Sequence, residues 1–299
     1  MRPSNRKEKP PSSRLGSLLR RWRHARGKSQ LDLSLDTGVS QRHISFIESG
    51  RSVPGRQTLM DLAEVLDVPL RERNALLLAA GYAPVYSAAA WNSDEMQSVN
   101  KALDRILQHH NPYPAVVMDR YWNVLTANES APQFFNHFID MDRRNGPRNI
   151  LHLIFDPQGM RPFIVGWERV ARSLLQRVAR ECVGRVMDET TRELLAALLV
   201  YPDVEPAWQT PVAGLDTGDI LPVIPLGFAR DGVILNYFSM VSTVGTPQTI
   251  AAQELRVECM FPADEATERH HHALMAAGQA TICGVLINCA VFDDFLLYY

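Results

Sequence analysis

The sequence predicts two unlike folded parts within its 299 residues: an all-α head of five short helices, then an α+β domain with an antiparallel sheet. Three observations predict this. Through residues 14–81 apolar side chains recur at helical spacing, punctuated by Gly and Pro. Further along, short runs rich in β-branched and aromatic residues alternate with helical patterns. Charge divides the chain in the same place. Residues 1–81 hold 15 Lys or Arg against 8 Asp or Glu, and the remainder holds 16 against 25. A net charge of −2 therefore conceals a basic head and an acidic body. The length suits two cores.

The first helix is expected from about Arg14 to Arg26, where Leu15, Leu18, Leu19 and Trp22 fall on one face. Ser29 and Ser40 are N-cap residues opening two short helices. Gly38 supplies the small, φ-permissive residue of the turn between them, and Val39 plugs it. In the second of these helices Ile44 and Ile47 share the inward face. The opposite face carries Arg42, Ser45, Phe46 and Ser49, with Gln41 at its N-terminal edge. Thr58 to Leu66 and Arg71 to Ala80 give the fourth and fifth helices, the last closed by Gly81. A helix offering Gln, Arg and Ser outward suits the DNA major groove, where Arg forks onto guanine and Gln onto adenine. The basic charge of the head supplies the field for such binding. Phe46 stays open between a thymine-methyl contact and the core.

Ahead of the head, residues 1–13 form a polar, basic, Pro-containing arm expected to be disordered and not a signal peptide. After it, Ala83-Pro84 and Ser87-Ala88-Ala89-Ala90 mark a linker over 83–93. The body then predicts a helix from Asp94 to Gln108 and strands over Ala115–Asp119 and Asn123–Ala127, joined at Arg120-Tyr121-Trp122. Helices follow over Ser130–Asp140, Ile150–Phe155, Pro162–Val183 and Asp188–Leu199. Three strands close the pattern, at about Ile220–Ala229, Val233–Val244 and Glu254–Phe261.

The order Ser29-Gln30, Ser34, Gly38-Val39-Ser40, Ile44, Glu48-x-Gly50 and Pro54 resembles the λ-repressor-like, or Xre-type, helix-turn-helix family over residues 14–68. The resemblance implies that Gln41, Arg42, Ser45 and Phe46 read bases. It implies that Gln30, Ser40, Arg51 and Arg56 hold phosphates. Arg23 and Glu48 match a structural pair tying the first helix to the third.

The segment from Pro114 through Asp119-Arg120-Tyr121-Trp122-Asn123 to Asn128 resembles the opening hairpin of PAS sensor domains. Phe238-Ser239 to Pro247, and Glu254-Leu255-Arg256-Val257-Glu258 leading to Phe261-Pro262-Ala263-Asp264, are similar to the C-terminal region of MmyB-like regulators. So is Pro69–Leu77 with Gly81-Tyr82-Ala83-Pro84. Gly166 departs from the Asn expected before Trp167. The fold is thus read as an all-α five-helix DNA-binding head (14–82) followed by an α+β PAS-like domain with an antiparallel sheet (94–268). What the resemblance implies is a transcription regulator sensing a small apolar ligand, with a fatty acid or similar lipid the leading class.

Phe134, Phe155, Phe163, Trp167, Phe228 and Tyr237 are the candidate pocket residues, although ordinary cores use the same side chains. A carboxylate head would want an Arg at the mouth, with Arg161, Arg169 and Arg172 the candidates. No cofactor or metal is expected. The four cysteines lack zinc or disulfide spacing and fit a reducing cytoplasm. His270-His271-His272 reads as a solvated polar hinge rather than a metal site. No nucleotide loop, nucleophile elbow or metalloprotease motif provides catalytic residues.

The tail, 269–299, has no assigned role. Residues Ala273 to Phe292 are uncharged and reach the length of a membrane span, but Gly278, Gln279, Thr281, Gly284 and Asn288 make a poor one. A helix buried on the body or on a partner, or an irregular extension, are the other readings. The expected assembly is a homodimer on double-stranded DNA. The alternative keeps the fold and makes the body a dimerisation or protein-interaction module with no small molecule.

Overall fold

A computed structural model describes residues 11–181, 188–209 and 226–277. The chain divides into two compact units. The first comprises residues 1–90 with 177–193 and 246–253, and the second the remainder.

The first unit contains, among its described residues, α1 (Pro11–Ala25), α2 (Gln30–Thr37), α3 (Gln41–Glu48), α4 (Arg56–Val65) and α5 (Leu70–Ala79). α1 starts at Pro11, inside the arm expected to be disordered. Proline is tolerated there because the first turn of a helix lacks an internal partner for its N–H in any case. Ser29 closes a capping box with Asp32 at the start of α2. Gly38 ends that helix in the left-handed region at φ 70°, as a tight inter-helix turn requires. Leu15, Leu19, Trp22, Leu33, Ile44 and Ile47 meet Leu59, Leu62 and Leu76 in one buried core.

The linker expected at 83–93 begins later than its composition suggested. The Asn74 side chain accepts from the amides of Val85 (3.0 Å) and Tyr86 (3.1 Å) and donates to the Tyr86 carbonyl (2.8 Å). Tyr82 donates its hydroxyl to the Pro54 carbonyl at 2.9 Å. One amide side chain here satisfies three backbone groups that a free linker would leave to water.

The second unit is built on a five-stranded antiparallel sheet ordered β2-β1-β5-β4-β3. Its strands are β1 (Ala115–Met118), β2 (Val124–Ala127), β3 (Leu226–Arg230), β4 (Val233–Ser242) and β5 (Arg256–Pro262). The β1–β2 hairpin turns at Arg120-Tyr121-Trp122, where Asp119 accepts from the amides of Tyr121 (2.8 Å) and Asn123 (3.0 Å). The second unit also holds α6 (Gln97–His109), α7 (Ser130–Asn136) and α8 (Ile150–Phe155), and α9 (Trp167–Glu181) and α10 (Glu189–Leu198) each have residues in both units. The short α11 (Ile250–Glu254) joins β4 to β5, and α12 spans 265–277.

Two elements differ from expectation. The helix expected from Pro162 starts at Trp167, because Ile164 and Val165 pair with the edge strand β3 instead. Ile164 bridges Phe228, and the Val165 amide donates to the Gly227 carbonyl at 2.9 Å. Gly166 then turns the chain at φ 63°, a region Gly and Asn both enter at little cost. That accounts for Gly where the resemblance led to Asn.

The histidine run is not a solvated hinge, and the tail does not separate at residue 269. α12 runs through both. His271 is fully buried, with Nδ1 2.7 Å from the Tyr237 hydroxyl and Nε2 2.8 Å from the Pro112 carbonyl. Met275 is buried as well. No helix among the described residues is long and apolar enough to cross a membrane. The remainder of the apolar tail, the expected strand over 220–225 and Cys182, Cys283 and Cys289 lie outside the described residues.

Candidate functional site

In the head, α3 is held by its buried side. Ile44, Ile47 and Glu48 are buried, and Ser40 caps the helix by accepting from the His43 amide at 3.3 Å. Glu48 is the anchor. Arg23 donates to its two oxygens through Nε (2.7 Å) and Nη2 (2.9 Å), and Gln30 donates through Nε2 at 2.8 Å. Burial pushes the Glu48 carboxyl upward, but the bonds from Arg23 and Gln30 and the charges of Arg23 and Arg20 outweigh it. The net shift is downward. The geometry of the Arg23–Glu48 pair is that of a bidentate fork.

Close approach of α1 to α3 has a second requirement. A Cβ on Gly16 would lie 2.4 Å from the Glu48 carbonyl oxygen and 2.7 Å from that of Ile47. Only glycine fits.

The outward face presents Gln41 and Arg42, both exposed, with Ser45 and Phe46 half-buried beside them. Phe46 does not fold into the core but lies half-buried on the outward face. Its ring lies under the guanidinium groups of Arg42 (5.3 Å) and Arg51 (5.8 Å), a cation–π arrangement that holds both cations on the outward side of α3. Arg51 and Arg56 are exposed, and Arg56 opens α4, whose N-terminus no side chain caps. Gln30 is partly committed, since one amide hydrogen goes to Glu48.

In the second unit two cavities adjoin. The larger, about 630 Å³, is bordered by Arg144, Arg148, Asn128, Asn149, Leu125 and Met141 among others, a size that suits a small ligand. Both asparagines are spent on the fold. Asn128 Oδ1 accepts from the amides of Ala115 (3.0 Å) and Ala131 (3.1 Å). Asn149 Oδ1 accepts from the Leu151 amide at 3.0 Å while its Nδ2 donates to the Tyr121 carbonyl at 2.8 Å.

Arg144 is different. Its side chain is only 10% exposed, and Nη2 stands 3.6 Å from Asp156. Nη1 donates to the Pro147 carbonyl at 3.0 Å. Nε and Nη2 are buried with no hydrogen bond among the described residues. Nearby, burial and then the Arg144 charge hold His152 below the usual histidine range, with Asp156 opposing. Arg144 is thus a mostly buried cation with two nitrogens outside any hydrogen bond among the described residues and Asp156 as its ion-pair neighbour.

The smaller cavity, about 80 Å³, lies deeper against the sheet and includes Phe228, Tyr237, Ser239, Glu258 and Met260 in its wall. Val116, Phe135, Ile150 and Leu153 border both cavities.

Of the expected pocket residues, Phe228 and Tyr237 line the smaller cavity. Phe134 and Phe155 are fully buried core, Phe134 packing edge-on against Phe228 and Tyr237. Phe163 packs on Phe138. Trp167 faces an open groove with Arg161 and Arg169. Arg161 lies over the Trp167 ring and pairs with Asp203 at 2.7 Å, and Arg172 sits over Trp208, so these two arginines serve packing.

Residues 99–274, more than half the chain, match the model of the MmyB-like transcription regulator ligand binding domain. The chain belongs to the MmyB-like transcription regulators. Residues 19–73 match a helix-turn-helix model. An uncharacterized HTH-type transcriptional regulator of Sinorhizobium fredii, y4dL, is 35% identical over 85 residues, 28% of this chain and 43% of the relative. The chain thus spans less than half the length of that relative. This MmyB-like regulator joins a helix-turn-helix head to a ligand-binding domain, and its family is one of transcription regulators.

Arg144, Glu258 and Gly16 were missed in the sequence. Arg143, Arg144 and Arg148 cluster around Gly146-Pro147 in an otherwise acidic domain, a signal for the first. Nothing in sequence order marks the other two.

Proposed function

We propose that this regulator binds operator DNA as a homodimer and senses an amphipathic acid, a fatty acid or similar lipid, in its second unit. Gln41, Arg42, Ser45 and Phe46 face the base edges in this reading, and Gln30, Ser40, Arg51 and Arg56 the phosphates. It acts in the cytoplasm, where the chromosome is. The observation that carries the ligand reading is Arg144, a nearly buried guanidinium with open donors beside a 630 Å³ cavity of mostly apolar wall. An acid group would complete its hydrogen bonds, and an aliphatic chain would cover the apolar surface.

The test is titration of dodecanoate and tetradecanoate into the full chain, wild type against Arg144→Gln. A charge-assisted bond contributes about 1.5–3 kcal/mol, so affinity falls at least tenfold in the variant. Equal affinities would remove Arg144 from the site. Pairing of two chains is assigned to residues 85–299, since the exposed large apolar side chains among the described residues of the head, Leu31, Leu35, Val53 and Leu78, are too few for a stable dimer face. A head that sediments as a dimer as tight as the full chain would contradict that assignment.

A further inference from the structure

Glu258 stands near the middle of the sheet, on β5, with Val116 of β1 and Val241 of β4 as its register neighbours. Its row of the sheet therefore offers no cation and no donor. It faces the smaller cavity, and its Oε2 is buried with no hydrogen-bond partner among the described residues. Apart from Glu258, the polar side chains of that wall are Ser239 and Tyr237. The Tyr237 hydroxyl is already engaged with His271 Nδ1 at 2.7 Å. A buried carboxylate oxygen without a partner costs free energy unless something donates to it.

The two cavities differ in what they ask of a ligand. Arg144 has open donors and takes an acid group. Glu258, when ionised, only accepts, so it repels a second acid and gains nothing from a terminal methyl. At about 80 Å³ the inner cavity has room for the end of a chain rather than a whole lipid. Val116, Phe135, Ile150 and Leu153 line both cavities, so a chain threaded between these side chains has its end in one cavity and its acid group in the other.

We infer that Glu258 selects a ligand with a hydrogen-bond donor at the end remote from its acid group, an ω-hydroxy acid in place of a plain fatty acid. This rests on the reading that the cavities hold an amphipathic acid, and it names the class within that reading. Bound this way, the hydroxyl donates to Glu258 Oε2 and the acid group lies at Arg144. The ligand then enters in one orientation.

The experiment is calorimetric titration of the full chain with octanoate, decanoate, dodecanoate and tetradecanoate, each beside its ω-hydroxy and α,ω-diacid counterparts. The proteins are wild type, Glu258→Leu and Glu258→Gln, with folding checked by circular dichroism. The expected result is that, at the best-fitting length, the hydroxy acid binds wild type about tenfold or more tighter than the plain acid. The diacid binds more weakly than either. In Glu258→Leu the preference disappears or reverses, and the plain acid gains. If Glu258→Leu does not fold, Glu258→Gln decides through the diacid, which it must bind better than wild type does. Plain and hydroxy acids binding wild type alike would overturn this inference and leave the amphipathic-acid reading in place. Failure of every compound to bind wild type would overturn that reading and this inference with it.

Discussion

Arg42, Arg51 and Phe46 show how one aromatic ring organises a reading face. A flexible arginine loses rotamer freedom when it binds, and a ring beneath the guanidinium removes part of that loss in advance. In the proposed reading the two cations have different tasks. Arg42→Ala removes a base contact, so specific binding weakens by about 1–3 kcal/mol and selectivity relaxes at one base pair. Arg51→Ala weakens all sequences alike and flattens the dependence on salt. Competition titrations with operator variants at several salt concentrations separate the two outcomes. Unchanged selectivity in Arg42→Ala would place α3 elsewhere on the DNA. Arg42 was legible in the sequence because outward positions on a short capped helix follow from its 3.6-residue period, whereas Arg51, beyond the end of α3, was read from the resemblance. Arg144 and Glu258 were not legible. Whether a charged side chain ends in water or against a cavity depends on residues distant in sequence, and nothing in local order records it.

Elements were legible where local signals agree, and shifted where a tertiary contact overrode them. Ser29, Gly38 and Ser40 set α2 and α3 without help from the rest of the fold. α9 starts later than its helical pattern because Ile164 and Val165 satisfy their backbone against β3. The candidate pocket was read from aromatic content; Phe228 and Tyr237 line the inner cavity while Phe134 and Phe155 are core, a difference that aromatic content alone does not record. α1 carries the sharpest element-level test. An Ala in place of a helical Gly ordinarily stabilises a helix by about 1 kcal/mol. At Gly16 the added methyl meets the carbonyls of Ile47 and Glu48, and backbone cannot rotate away as a side chain can. Gly16→Ala therefore destabilises the head by about 1–3 kcal/mol, with the opposite sign to propensity. Urea denaturation of the purified variant measures it, and a stabilised Gly16→Ala would mean α1 and α3 do not pack this closely.

Across the molecule, the binding chemistry is divided between a basic head and an acidic body, and the chain supplies a route between them. Strands β4 and β5, which contribute Tyr237, Ser239, Glu258 and Met260 to the inner cavity, are joined through residues 246–253. Those residues belong to the first compact unit. There Gln253 accepts from the Leu70 amide at the start of α5 at 2.8 Å, and the Ile250 amide donates to the Ser87 carbonyl at 3.0 Å. In the proposed reading, a ligand that changes how β4 and β5 pack acts on residues 246–253, which are bonded to the start of α5. Ligand can shift operator affinity only through a difference in its own affinity for the two arrangements of the chain. The coupling must therefore be reciprocal. Titrating the preferred amphipathic acid into full-length protein, with and without saturating operator DNA, tests this most directly. The account predicts that operator changes ligand affinity by the same factor by which ligand changes operator affinity. Identical ligand affinities in the two titrations would contradict it, leaving a ligand-binding domain with no hold on DNA.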